Sequence, residues 1–150
     1  MLTEFEATGS AMDGGFISKD VDFEDWILRN QDYEAGLNLL DGFVPSIQYV
    51  SFDQTGRALG FLSLRLRLND FLLNRGGHIG YSVRPSEQGK GYATEILKQG
   101  ISAAFSKNIK KVLVTCHDTN AASRAVILKN GGILEDVREG TERYWIDLQS

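Results

Sequence analysis

Over residues 78–116 the spacing of apolar residues changes period twice, and no other stretch restricts the architecture of the chain as much. Residues 78–83 read as a strand that Arg84-Pro85 stops, because proline has no N–H to give to a ladder. Ala93, Ile96, Leu97, Gly100, Ile101, Ala104 and Phe105 then recur at the three-four spacing of a helix that buries one stripe. Residues 111–116, centred on Val112-Leu113-Val114, form an apolar run short enough for a buried strand. A strand that returns after a helix predicts a parallel crossover.

The flanking segments add antiparallel partners. Ile47, Tyr49, Val50 and Phe52 mark a strand over residues 46–52, and Asp53-Gln54-Thr55-Gly56 supplies a turn. Residues 58–68 then alternate, with Leu62, Leu64, Leu66 and Leu68 on one face and Ser63, Arg65 and Arg67 on the other. Upstream, Phe23, Trp26, Ile27 and Leu28 suggest a short amphipathic helix. Downstream, Asn120 can cap a helix carrying Ala122, Ala125 and Val126, which Gly131-Gly132 ends. Residues 133–137 and 144–148, joined by Glu139-Gly140-Thr141, read as a closing hairpin. The sum is an α/β (α+β) fold, a mixed, mostly antiparallel central sheet flanked by helices. With 150 residues and no linker, repeat or low-complexity run, one domain over residues 1–150 is expected.

A net charge of −4 argues against a broad electrostatic grip on nucleic acid or an anionic membrane, so neither is expected as a partner. Residues 1–10 carry Glu4 and Glu6 and no apolar signal core, and no window approaches the roughly eighteen apolar residues of a membrane span. A cytoplasmic location is expected. The single cysteine, Cys116, excludes an intramolecular disulfide and cannot by itself make a cysteine-based metal site.

The chemistry points to residues 81–94, a strand that breaks into a glycine-containing turn and opens a helix. The first N–H groups of a helix lack internal partners and lie at the positive end of its dipole, and glycines let a phosphate approach the chain. A Walker A loop fails, because Arg84 stands where its first glycine belongs and Gly91 where its Ser or Thr belongs. A dinucleotide fingerprint can start at Gly89 and Gly91, with Asp118 near the end of the next strand, but its third small position falls on Thr94. The third candidate is carried by Gln88-x-x-Gly91-x-Ala93. It resembles the Gln/Arg-x-x-Gly-x-Gly/Ala signature of the GNAT superfamily of acyl-CoA-dependent N-acetyltransferases. The Val83-Arg84-Pro85 strand ending, the strand to Cys116, Asn120-x-x-Ser123 and Gly131-Gly132 resemble that superfamily in order and spacing. The resemblance covers roughly residues 46–148 and is closest to bacterial predicted acetyltransferases of unassigned substrate.

That resemblance implies acetyl-CoA as co-substrate and direct acetyl transfer to the amine of a small molecule or peptide through a tetrahedral intermediate. It implies that the backbone of Gln88, Gly89, Lys90, Gly91, Tyr92, Ala93 and Thr94 binds the pyrophosphate. The edge of Tyr81, Ser82 and Val83 would pair with the pantetheine arm, which Asn120 and Ser123 would also reach. An unpaired N–H near Val83 can serve the oxyanion, and His78, near where the superfamily often carries a carboxylate base, is the candidate base. The family's usual proton-donating tyrosine, seven residues after Asn120, is here Ile127, so Tyr144 or a water is the candidate acid. Cys116 and His117 cannot readily pair, because neighbours on a strand point to opposite faces, and no metal is expected. Arg65 and Arg67 are expected to be solvated edge charges, with a substrate carboxylate as the alternative. The superfamily's opening strand has no clear counterpart in residues 1–20, so the chain is expected to start late, and a homodimer is compatible with the resemblance. The rival functions are a non-catalytic acyl-CoA-binding or sensing module, which Ile127 keeps open, and more distantly a nucleotide-dependent oxidoreductase.

Overall fold

Asp22 begins the first long helix by accepting hydrogen bonds from the N–H groups of Glu24 and Asp25 at 2.9 and 3.1 Å. This helix, α2 (Phe23–Glu34), follows a shorter one, α1 (Leu2–Thr8), in a computed structural model that describes residues 1–15, 17 and 20–147. The remaining elements are β1 (Ser46–Phe52), β2 (Ala58–Arg65), β3 (Ile79–Val83), α3 (Tyr92–Ser106), β4 (Lys111–His117), α4 (Ala121–Lys129), β5 (Ile133–Arg138) and β6 (Thr141–Asp147). Among the described residues no strand precedes β1, and α1 and α2 occupy the space before it.

The strands make two three-stranded antiparallel sheets, ordered β1-β2-β3 and β4-β6-β5. Alternation along β2 and β3 sends Leu62, Leu64, Ile79 and Val83 to one face, where Ile96, Leu97 and Ala104 of α3 bury them in the main core. The opposite face carries Phe61, which packs with Phe5 of α1, Trp26 of α2 and Ile17 in a second, smaller core. Each fully buried side chain of this kind contributes about 2 kcal/mol. The helical stripe expected over residues 93–105 therefore covers one face of β2 and β3, extended by one residue at each end.

Two boundaries and one connection differ from the pattern. β2 ends at Arg65 rather than at residue 68: Leu66 N still donates to its register partner Pro45 O (2.8 Å), but Pro45 has no N–H to return, and Asn69 accepts from Leu72 N (2.9 Å) to start a wide turn over Leu72–Gly76. β6 starts three residues before Tyr144, because Glu139 and Gly140 have φ of 49° and 81° and make a two-residue turn that leaves Thr141 free to pair with Arg138. Leu148, the expected end of that strand, lies outside the described residues. The third difference is the parallel crossover, since β3 and β4 share no ladder and belong to different sheets.

Candidate active site

His78 is where the two sheets meet. Its main-chain N–H donates to Leu113 O at 2.7 Å, and its ring Nδ1 accepts from Leu113 N at 2.9 Å. Beyond this stitch β3 and β4 part. Ile79, Gly80 and Tyr81 line one side of a cleft of about 380 Å³, and Thr115, Cys116 and His117 line the other. Asn120 and Ser123 stand at its α4 side. The bonds Arg65 N→His78 O and Arg84 N→Leu59 O, both 2.7 Å, fix which residues of β3 pair with β2. Gly80 and Ser82 fall in hydrogen-bonded pairs, so the N–H and C=O groups of Tyr81 and Val83 point away from β2 into the cleft.

At the end of β3 the chain turns through Pro85–Glu87, and Gln88 folds back to donate from Nε2 to Val83 O at 3.1 Å. Gly91 starts α3 with φ of 88°, a left-handed conformation, and no side chain caps the helix. The first N–H to close onto the helix is that of Glu95, on Gly91 O at 3.4 Å. Among the described residues, the six N–H groups of residues 89–94 have no acceptor. A Cβ placed on Gly89 or Gly91 would meet nothing within 4 Å, so the approach to these groups is open. The turn is braced from behind by Glu4 of α1, which pairs with buried Arg84 and accepts from Ser86 N at 3.0 Å. The Arg84 guanidinium, with help from Ser86, holds the Glu4 carboxyl at a pKa of about 2.

Residues 9–133 match the family model of the acetyltransferase (GNAT) domain. The chain belongs to the GNAT acetyltransferase family. It is thus an acetyl-CoA-dependent N-acetyltransferase, moving acetyl groups to amines. No curated protein matches the sequence. Among solved structures, yncA of Salmonella typhimurium with acetyl-CoA matches at TM-score 0.64 and 17% identity over 99% of this chain and 86% of that one. A point mutant of the spermidine N-acetyltransferase SpeG of Vibrio cholerae matches at TM-score 0.64 and 16% identity over 96% and 86%. The ribosomal-protein-S5-alanine acetyltransferase of Vibrio fischeri matches at TM-score 0.62 and 17% identity over 85% and 70%. At these identities the likeness is one of fold.

The GNAT signature residues come together at the turn and cleft. Tyr81 and Ser123 meet across the cleft, with Oη and Oγ 2.9 Å apart, and burial first of all raises the Tyr81 pKa. Asn120 caps α4, its Oδ1 accepting from Ser123 N at 3.1 Å. Lys90 is turned to Glu87, 3.0 Å away. Ser82 faces the opposite side of the sheet from Tyr81, with its Oγ buried and without a partner.

The two candidate catalytic side chains do not reach this GNAT cleft. Burial, reinforced by the Arg65 charge, lowers the His78 pKa to about 4, so the ring is neutral near pH 7. With Nδ1 accepting from Leu113, the ring proton sits on Nε2, and no lone pair is left to take another from an amine. His78 is a structural stitch and not the base. Tyr144 is buried and donates to Glu142 Oε1 at 3.0 Å, while Arg124 binds both oxygens of that carboxylate at 2.8 Å. Tyr144 therefore belongs to the core, and its pKa is raised chiefly by burial. Cys116 is buried, and its thiol is pushed up to about 11 mainly by burial, which removes it as a nucleophile. Among the described residues no group of three or more His, Cys, Asp or Glu side chains is arranged to hold a metal ion.

Arg65 corrects a further expectation. It is half-buried, and its guanidinium lies over Gly80, where a Cβ would stand 2.9 Å from Nη2. Arg67 is exposed. Arg65 and Phe71 line both the cleft and a second cavity of about 190 Å³, bounded also by Tyr33, Phe43, Gln48 and Ser63. Asp13, in the connection between α1 and α2, also lines the cleft, and no pattern in the sequence marks it. Gly80 was the available signal for Arg65, because a lone glycine within a strand often marks a close approach.

Proposed function

We propose that the chain transfers the acetyl group of acetyl-CoA directly to the amine of a small molecule or peptide, without a covalent enzyme intermediate. The observation that carries this is that, among the described residues, the six N–H groups of residues 89–94 have no acceptor, at the end of a strand edge on which the Tyr81 N–H and C=O and the Val83 N–H are also unpaired. Outward amides at a helix start suit a diphosphate. The edge of β3 suits an extended amide-bearing arm, which would add to it as a strand adds to a sheet.

Val83 lies nearer the turn and pairs with the arm, while Tyr81 lies deeper, where its N–H meets the thioester carbonyl oxygen. The neutral amine attacks the carbonyl carbon and forms the C–N bond, and negative charge gathers on that oxygen. As the intermediate collapses the C–S bond breaks, the nitrogen loses a proton and the sulfur gains one. Asp13 lines the cleft and takes the amine proton directly or through one water. The Tyr81 hydroxyl is kept protonated by burial, stands beside Ser123 and supplies the proton to sulfur in place of the tyrosine replaced at Ile127. A neighbour acting on spermidine and another acting on a ribosomal protein support the breadth of the acceptor class.

Calorimetric titration with acetyl-CoA, followed by thiol release with a panel of amines, tests this reading. Stoichiometric binding and turnover of at least one amine are expected. Binding with no turnover for any amine would leave an acyl-CoA sensor, and no binding would sink the proposal.

A further inference from the structure

The cavity of about 190 Å³ beside the cleft has an unusual balance of charge. Its walls include Tyr33, Phe43, Val44 and Leu72, and its single formally charged lining residue among those described is Arg65. That guanidinium donates from Nη1 to Gly76 O at 3.0 Å and reaches Gly77 O at 3.5 Å. Among the described residues Nη2 and Nε have no acceptor, and no carboxylate lies within 4 Å of the group. Burial lowers its pKa and Asp13 acts in the opposite direction through a longer-range attraction. A planar fork with open donors, held against an apolar wall, is a receptor for a two-oxygen anion.

We infer that the acetyl acceptor is a small amino acid whose carboxylate is held by Arg65, at the junction of the side cavity and the cleft. The inference rests on the acetyl-transfer reading above and names its substrate class. The position of Arg65 fixes the rest of the ligand. In an α-amino acid the amine is two bonds from the carboxylate carbon, so binding at Arg65 places the nitrogen at the cleft, beside Asp13 and Tyr81. The side chain then enters the cavity of Tyr33, Phe43 and Phe71, which is of a size for an apolar or aromatic group rather than a long chain. A polyamine would bring a second positive charge to a wall whose one charge is already positive, and is disfavoured. Gly80 completes the arrangement, because any side chain there would push the guanidinium out of place.

The test compares amino acids with their carboxamides as acceptors, alongside spermidine, in a thiol-release assay with saturating acetyl-CoA. At least one apolar or aromatic amino acid is expected to exceed its own carboxamide by roughly tenfold to hundredfold in kcat/KM, the scale of hydrogen bonds to a charged group. Arg65→Gln should bring that ratio close to one, with acetyl-CoA binding and the circular-dichroism melt as checks on folding. Gly80→Ala, which keeps the arginine and displaces it, should lower the ratio in the same direction and decides the matter where Arg65→Gln fails to fold. Carboxamides or spermidine accepted as well as the amino acids, no amino acid accepted, or a ratio unchanged in either variant overturns the inference. If acetyl-CoA itself is bound and turned over with such amines, the transfer reading survives that failure, whereas absence of acetyl-CoA binding removes both.

Discussion

The two ends of β3 treat their polar groups in opposite ways. At the first end, His78 uses its main-chain N–H and its ring to satisfy both main-chain groups of Leu113, and Arg65 N closes on His78 O at 2.7 Å. Buried polar groups there are paired, as the cost of leaving one unpaired requires. At the other end, the strand runs into six N–H groups with no acceptor, and the side chains that could have capped them are glycine or are turned elsewhere. One end is finished as structure, and the other keeps its donors open, as the proposed diphosphate site requires. On the function proposed above, the contrast gives His78 to stability and residues 89–94 to binding, although both carry chemistry that suits a transferase.

The contrast breaks most sharply at Gly91. Asparagine and aspartate both tolerate its left-handed backbone, so Gly91→Asn and Gly91→Asp differ mainly in charge. Acetyl-CoA affinity, measured by calorimetry, should fall by more than about hundredfold in Gly91→Asp and by only a few-fold in Gly91→Asn, with equal thermal stability for the two. At the finished end, His78→Ala should cost about 2 kcal/mol in urea unfolding, from a buried Leu113 N–H left without acceptor, while the acetyl-CoA affinity of the folded protein stays the same. A shift in affinity without a loss of stability would reverse the assignment of the two ends. Tyr81→Phe probes the cleft between them and should lower kcat by about tenfold with little change in acetyl-CoA affinity.

The smallest effect is in the acid limb. The fold holds the His78 ring neutral, with a pKa of about 4 against 6.5 for an ordinary histidine. Its contribution is therefore complete above pH 6.5 and is lost as the pH falls from there towards 4. Glu4 and Glu142, held near 2 mainly by Arg84 and Arg124, lose their contributions only below the ordinary value of 4.5. His78→Asn keeps an acceptor for Leu113 N and removes the titration, so urea midpoints at pH 7.5 and 5.0 should lie closer together than in the parent chain.

The sequence was most legible where one period dominates. The stripe from Ala93 to Phe105 and the run around Leu113 gave α3 and β4 to within two residues, because burial on one face writes a spacing into the chain. The Asn120 cap was legible because its chemistry is local. α1 was not, since a seven-residue helix held by Phe5 and Glu4 carries too little pattern. The parting of β3 from β4 was expected from the resemblance and not from periodicity, as a buried strand reads the same whether or not it joins its neighbour's ladder. The turn at residues 88–94 was recognisable from glycine and helix-start chemistry, whereas Arg65 looked like a surface charge because alternation places it on a polar face without saying what covers that face. His78 misled by residue type, since titration range says nothing of whether the ring's lone pair is already in use.

Nitrogen-15 NMR of the labelled chain, titrated with coenzyme A, reads the partnerless amides one by one. The largest shifts are expected at the N–H groups of residues 89–94, followed by Tyr81 and Val83, with Leu113 unmoved. Saturable binding that leaves residues 89–94 in place and shifts amides elsewhere would contradict the assignment of this turn as the diphosphate site.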